Sequence, residues 1–384
     1  MPIKVHFLPV LLVALAWMPT PLAASPPTFG TNMVMGLLLP PESDAAVSLK
    51  NGAGLGVELA NQAWGVNARL VIRGRTGQWG ADGMEAARMI LDDGAQGLIA
   101  PPDGAACHLV LQVAGRTAVP VVSLCGDSSV TQTGVPWLAR VVPRTIEEAE
   151  ALFTGLRCDH WVAVTPNGRA GREVRRDLQA AARNRAGTNG QFFEVNRPGT
   201  NPARLARQII AGHPDSVLLW LDPAVAGTMA QALRKAGFAG ELAGPGRLHS
   251  PDFVAAAGRG AEGLLAPGLR QSFVRIGPPQ RTEFAAAYRE RFGTSPDATA
   301  VMAGDAAWLL VQVLQSAGSH PAYRVFPLVG SFSGASGVLT FDRSGNLISN
   351  LGLLRLRGGQ WIPEASQIPS GSSNKVAGRQ FPQP

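Results

Sequence analysis

The residues of this chain best suited to chemistry are three aspartates that follow apolar runs. Asp103, Asp127 and Asp222 each stand at the end of a predicted strand. Two carboxyl groups can serve as general acid and general base when they lie close together. An aspartate at such a position also caps a helix or closes a turn, with no chemistry involved. The sequence therefore favours a protein that is not an enzyme, with a hydrolase as the minor alternative.

Other sequence signals of catalysis or metal binding are absent. The chain has no glycine-rich phosphate loop ending in Lys-Ser/Thr, no Gly-x-Ser-x-Gly and no His-Glu-x-x-His. Its 6 histidines are far apart, and none has a second histidine, cysteine or carboxylate at a metal-ligand spacing. We predict no metal and no cofactor.

The elements that must position the aspartates are clearest between Gln96 and Ser129. Two apolar runs flank a stretch with helical spacing, which predicts a parallel strand–helix–strand unit. In such sheets ligands bind beyond the carboxyl ends of the strands. Any α/β protein has turns there, so the alternative is a purely structural role. The predicted ligand-binding residues of these two turns are Asp103, Gly104, Ala105, Ser123, Cys125, Gly126 and Asp127.

Length and charge narrow the class of protein. The chain has 384 residues, of which 46% are hydrophobic and 16% charged, enough to build two globular domains. The net charge is +7 and the pI about 10.0, but no run of basic residues is interleaved with aromatics. Nucleic-acid binding needs such a patch, so we predict no nucleic-acid partner.

The first residues are typical of a secretory signal peptide. A short basic start, an apolar run and a small-residue exit predict cleavage after residues 1–24 and export to the periplasm. No later stretch is expected to cross a membrane. Residues 365–384 are rich in Ser, Gly, Pro and Gln and are expected to be disordered.

The sequence does not decide whether two of the three cysteines form a disulfide in an oxidising compartment. Cys107 and Cys125 are expected near each other, at the start of a helix and the end of a strand. They either form a bridge or, as is more common for free cysteines, are small buried residues together with Cys158.

Strand and helix patterns alternate along most of the chain, which predicts doubly wound α/β architecture. The alternation restarts after Val141-Val142-Pro143, so a second lobe is expected there. Near the end, strands over 337–341 and 351–356 are expected to pair as a hairpin around Asp342–Asn346.

Several stretches, in order and spacing, resemble the leucine/isoleucine/valine-binding protein family of type I periplasmic solute-binding proteins. They include GLIAPPDGAA, AVPVVSLCGDSS, RVVPRT, SPDFVAAAGRGAEGLLAP, EFAAAYRERFGTSPDATAVMAGDAAWLLVQVLQ and FSGASGVLTFDRSGNLISN. The resemblance covers about Met33 to Pro363 and implies two α/β lobes joined by three crossings, near Pro143, Pro267 and Phe326-Pro327. Lobe 1 would comprise residues 28–143 and 268–325, and lobe 2 residues 144–267 and 326–364.

The resemblance also places a ligand between the lobes. It implies that residues at Asp103, Gly104, Cys125 and Asp127 hold a ligand carboxylate. Ala170 and Asp222 stand where the family has aromatic residues. Gly246 stands where it has the acidic residue that binds an amino group. A cleft lined by Trp79, Trp220 and Leu124, with Arg247 or Arg270 nearby, would suit a larger or less charged solute.

What the resemblance implies is a binding protein that delivers a small ligand to an ABC permease. Two alternatives keep the same fold: a ligand sensor or regulator, and a carrier of an apolar, lipid-like ligand. Closure of the lobes on the ligand would be the whole mechanism.

Overall fold

The computed structural model describes residues 32–41, 43–74, 80–156, 159–183, 189–195, 199–270, 279–318, 320–326 and 330–364. The predicted signal peptide and the predicted C-terminal tail lie outside these residues. So do Trp79, Cys158 and Pro327.

A parallel sheet forms the first lobe. Its strands are β1 (Asn32–Leu39), β2 (Asn67–Gly74), β3 (Gly97–Ala100), β4 (Val121–Ser123) and β5 (Leu138–Arg140), in the order β2-β1-β3-β4-β5. All pairs are parallel, with Leu98 beside Val121 and Val121 beside Leu138. The carboxyl ends of β3 and β4 therefore lie at the same edge, as the strand–helix–strand pattern predicted.

A larger mixed sheet forms the second lobe. Its strands are β6 (His160–Pro166), β7 (Asn189–Val195), β8 (Ser216–Leu219), β9 (Glu241–Ala243), β10 (Leu265–Leu269), β13 (Leu351–Arg357) and β14 (Gln360–Pro363). They lie in the order β14-β13-β10-β9-β8-β6-β7, with β13 and β14 antiparallel to their neighbours. A separate antiparallel hairpin consists of β11 (Ser331–Gly334) and β12 (Gly337–Thr340).

Helices cover both faces of each sheet. They are α1 (Asp44–Trp64), α2 (Ala81–Leu91), α3 (Gly104–Thr117), α4 (Thr145–Gly155), α5 (Gly168–Arg183), α6 (Pro202–Ile210), α7 (Pro223–Lys235), α8 (Pro251–Ala257), α9 (Pro279–Phe292), α10 (Ala298–Ala317) and α11 (Ala322–Val325). Alternate residues of β1 point to opposite faces. Met35 and Leu37 pack in a cluster with α1 and α10, whereas Leu38 packs with α2 and α3.

The prediction that strands over 337–341 and 351–356 pair as a hairpin is wrong. The turn at Asp342–Asn346 exists, because Asp342 N donates to Asn346 O and Phe341 bridges Leu347. However, β12 pairs with β11, and β13 pairs with β10 and β14. The sequence did not predict the short strands β11 and β14, because neither has a long apolar run that would have identified it.

The third crossing differs from the one expected near Phe326-Pro327. Phe326, Phe332 and Leu339 pack in the core of the first sheet, so the chain is still in that lobe at these positions. It reaches the second sheet at β13, where Arg270 N donates to Asn350 O over 2.8 Å. The packing favours a boundary near Asn350, and we propose this revision of the lobe limits.

Helix α10 is long and apolar enough to cross a membrane by length and composition, contrary to the expectation for later stretches. Its residues are mostly buried inside the protein, where Ala303, Ala307 and Leu310 pack in the first core. A core helix passes the same test, and burial accounts for the composition of α10.

Helices α1 and α10 touch backbone to backbone at glycines. A Cβ on Gly52 would lie 2.0 Å from the carbonyl oxygen of Ala300, and one on Gly56 would lie 2.5 Å from that of Gly304. Both oxygens are main-chain atoms, which have no rotamer to move away. The close approach of the two helices therefore requires glycine at both positions of α1.

We expect Gly52→Ala to lower the free energy of unfolding by about 1–3 kcal/mol, because an added methyl group overpacks a closed contact. Gly54→Ala is the matched control, since a Cβ on Gly54 meets nothing within 4 Å. Replacing an open helical glycine by alanine is expected to stabilise by about 0.5–1 kcal/mol. Urea denaturation measures both variants, and equal stabilities would contradict the close helix contact.

Candidate functional site

The site begins at the turn after β3. Asp103 caps α3, its Oδ1 accepting a hydrogen bond from Ala106 N at 2.8 Å, as the sequence predicted. Gly104 begins the helix, and Ala105 follows on its first turn. The capping bond fixes the Asp103 carboxylate on its own helix, so the first half of the predicted ligand-binding wall is built by ordinary helix chemistry.

The turn after β4 is held together by hydroxyl and thiol groups. Ser123 is fully buried, and its Oγ accepts from Cys125 N at 3.1 Å and lies 3.3 Å from Cys107 Sγ. The Gly126 carbonyl accepts from Thr145 N at 2.8 Å, which ties the turn to the start of α4. Ser123, Cys125 and Gly126 therefore support the turn from inside.

Cys107 and Cys125 are both buried free thiols, which favours the second of the two alternatives for this pair. Burial raises the pKa of Cys107 to about 11 and raises that of Cys125 well above its usual value.

Asp127 is the centre of the site. Its side chain is 4% exposed, and its Oδ1 accepts from Ser129 N and Ser129 Oγ, both at 2.9 Å. His108 Nε2 lies 3.8 Å from Oδ2. Burial alone would raise the pKa of Asp127, but the bonds from His108 and Ser129 outweigh it and hold the pKa below its ordinary range. Asp127 is therefore an ionised carboxylate.

A fully buried arginine supports this turn from behind. Arg140 Nη1 donates to Asp127 O at 2.8 Å and Nη2 to Thr131 Oγ1 at 3.1 Å. Thr131 Oγ1 donates in turn to Asn346 Oδ1 at 2.8 Å. Burial lowers the pKa of Arg140, with the nearby Asp127 charge acting in the opposite direction. The sequence gives no sign of this role for Arg140, since a single arginine in a short strand has no distinctive pattern.

The second lobe meets this turn through α5. Arg176 Nη2 lies 3.4 Å from Asp127 Oδ1, and its Nε donates to Asp177 Oδ1 at 3.0 Å. Ser128 Oγ donates to Asp177 Oδ2 at 2.8 Å. These contacts join the lobes at the carboxyl ends of β4 and β6. The signal available in sequence is the dense run of charges from Arg169 to Asp177.

Glu173 completes the contact between the lobes. Its carboxyl group hydrogen-bonds the Asp127 carboxyl and accepts from Arg169 Nε at 2.5 Å. Burial raises the pKa of Glu173, and the Asp127 charge raises it further against the opposing effect of Arg169. Burial and the Asp127 charge therefore favour a proton on Glu173, and the ion pair with Arg169 opposes it.

Two of the residues placed by resemblance face solvent. Ala170 is exposed on the first turn of α5, and Asp222 is exposed at the start of α7. Trp220 is fully buried in the core between the second sheet and α4, so it acts as a core residue. Arg247 Nε donates to Leu221 O and Arg270 Nε donates to Leu351 O, both at 3.1 Å. The charge of Arg247 also acts on Glu148, whose pKa it lowers against the effect of burial.

A carboxylate does lie at Gly246, but it comes from another element. Glu148 in the first turn of α4 accepts from Gly246 N at 2.8 Å through Oε1. A Cβ on Gly246 would lie 2.9 Å from that oxygen and 2.8 Å from Pro267 O. Burial raises the pKa of Glu148 to about 7. A carboxylate therefore lies beside Gly246, but it comes from α4, which the sequence position of Gly246 alone did not indicate.

Among the described residues, no group of three or more His, Cys, Asp or Glu is arranged to hold a metal ion. An open groove of about 510 Å³ runs along the outer face of α5. It is lined by arginines, including Arg172, Arg175 and Arg183, and lies outside the predicted wall.

Two α/β lobes with three crossings, and a candidate site at the carboxyl edges of both sheets, define the type I periplasmic binding protein fold. The family model described as periplasmic binding protein matches residues 36–325. The chain belongs to this family, and the resemblance predicted from its sequence is confirmed.

Solved structures show the same fold. A leucine-binding protein of Thermotoga maritima is 18% identical, with a TM-score of 0.75, covering 87% of this chain and 98% of its own. A branched-chain amino acid binding protein of Streptococcus pneumoniae with isoleucine is 16% identical, with coverages of 86% and 97% and a TM-score of 0.75. A solute-binding protein of R. palustris with benzoate is 20% identical, with coverages of 86% and 95% and a TM-score of 0.75. Sequence comparison with curated proteins finds no match.

The two buried thiols give a chemical prediction. In a Cys158→Ser variant at pH 8, neither Cys107 nor Cys125 should react with Ellman's reagent while the protein is folded, because the thiolate is the reactive form. Both should react in guanidinium without reductant. A failure to titrate two thiols in the unfolded protein would instead show a disulfide.

Asp127 gives a pH prediction. A carboxyl whose folded pKa is depressed adds stability above its unfolded pKa of about 3.9, and this stability is lost as pH falls below that value. Asp127→Asn should therefore lower the free energy of unfolding at pH 7 by about 1–3 kcal/mol. The difference from the native protein should shrink as pH falls to 3. Urea denaturation from pH 3 to 7 measures it, and a constant difference would show that Asp127 is not the titrating group.

Proposed function

We propose that this chain is an exported binding protein that captures a small solute between its lobes and delivers it to an ABC importer. Family membership supports solute binding without chemistry. The single observation that supports it best is the meeting of both sheets' carboxyl edges at Asp127 and α5. In α/β sheets this edge is where ligands bind.

The location and partners follow from the same proposal. The predicted signal peptide would place the mature chain in the periplasm, and its membrane partner would be an ABC permease. Three of the solved relatives support an import role, since they are described as ABC transporter or branched-chain amino acid transporter binding proteins. Ligand-dependent closure would then signal a loaded protein to the permease.

Two kinds of group are available to a ligand in the proposed cleft. Glu148 offers a carboxyl at the inner end, near the crossing at Pro267, and main-chain groups surround Gly246. At the other end, Asp127, Glu173, Arg169 and Arg176 already satisfy one another. Two of the solved relatives bind carboxylic acids, isoleucine and benzoate, so a test panel must include acids and their uncharged counterparts.

The test is a thermal-shift screen of the mature protein against amino acids, aromatic acids, amides, amines, polyols and lipids. A ligand at a hundred times its dissociation constant adds about 2.7 kcal/mol of stability. We expect at least one compound to raise the melting temperature saturably and to be recovered chemically unchanged. Conversion of that compound would favour a hydrolase, and a complete lack of binding would contradict the proposal.

A further inference from the structure

The carboxyl group of Glu173 fills a narrow space between the lobes. A Cβ placed on Gly104 would lie 3.0 Å from Glu173 Oε2 and 2.8 Å from Asp127 Oδ2. The absence of a side chain at Gly104 therefore lets these two oxygens approach the start of α3. A ligand group cannot enter this space while Glu173 stays in it.

The surroundings of Glu173 are suited to a carboxyl group. On its own helix, Arg169 donates to it, and Arg176 and Asp177 lie one turn further along. From the first lobe it faces Asp127 after β4, which also contacts His108 of α3. Asp103, at the start of α3, has its Oδ1 engaged by its cap. An incoming carboxyl would have to replace the same two bonds, one from Arg169 and one shared with Asp127.

We infer, on the basis of the proposed function, that Glu173 is a specificity-determining residue. Its carboxyl group fills the space between Gly104, Asp127 and Arg169 and restricts the site to solutes that present no carboxylate there. Small acids that would place a carboxylate at this point of the cleft are excluded. Ligands that place an uncharged or cationic group there are accepted.

The charge of Asp127 gives this inference a second signature. Burial and that charge raise the pKa of Glu173, and a ligand carboxyl in the same space would meet both effects. Binding of such an acid should therefore strengthen as the pH falls.

The experiment measures binding of two matched pairs by calorimetry: benzoate with benzamide, and L-leucine with L-leucinamide. In Glu173→Ala the space is vacated and Arg169 loses its partner, so affinity for the two acids should rise at least tenfold over the native protein. The rise should be larger at pH 5 than at pH 8. The two amides should change less than threefold.

Two further variants test whether a gain in acid binding comes from vacating the space of Glu173 or from a general disturbance of the second lobe. Glu173→Gln keeps an acceptor for Arg169 and an N–H donor for Asp127, so it should exclude the acids as the native protein does. Glu194→Ala removes an acid from the same lobe, where Glu194 pairs with Arg175 at 3.3 Å, and should leave acid binding unchanged.

Each other outcome overturns the inference in a recognisable way. If the native protein binds a panel compound but Glu173→Ala gains no affinity for acids, Glu173 is not a specificity residue and the proposed function stands. If the native protein binds the acids and Glu173→Ala weakens that binding, Glu173 contributes to holding them. If no variant binds any compound of the wider panel, the proposed function fails as well.

Discussion

The contact between the lobes depends on the burial of one cationic side chain. Arg140 has no exposed surface, and a buried charge is costly unless its donors are satisfied. The Asp127 carbonyl and the Thr131 hydroxyl satisfy two of them, so the chain from 127 to 131 must fold around the guanidinium. Through Asn346 the same group also anchors the turn that follows β12. The carboxylate of Asp127 is presented to the second lobe because its main chain is held in this way.

Much of the fold was predictable because its long elements have strong local patterns. Apolar runs ended by Pro101-Pro102 or by Gly126 located β3 and β4, and regular spacing located α3. Short elements had no such pattern. Strand β5 is three residues long, and the short turn between β11 and β12 is held from outside, because Asp305 of α10 accepts from Ala335 N. A contact that joins positions 30 residues apart cannot be inferred from local sequence.

Of the candidate site, only the two turns of the first lobe were predictable from the sequence. The turns after β3 and β4 follow from a general rule about parallel sheets, and Asp103 follows from helix capping. Glu148, Glu173 and Arg140 were missed because each acts on a residue far away in sequence. Gly246 is an example. A carboxylate lies beside it, but that carboxylate belongs to Glu148 on another helix. Matching a sequence to a family position by position does not reveal such a contact.

Two of the three crossings are hydrogen-bonded to each other. Strands β10 and β13 run antiparallel, with Leu269 beside Leu351, and the pairing continues through Arg270 N and Asn350 O. Because the two crossings leave the second sheet side by side, relative movement of the lobes has to bend both of them together.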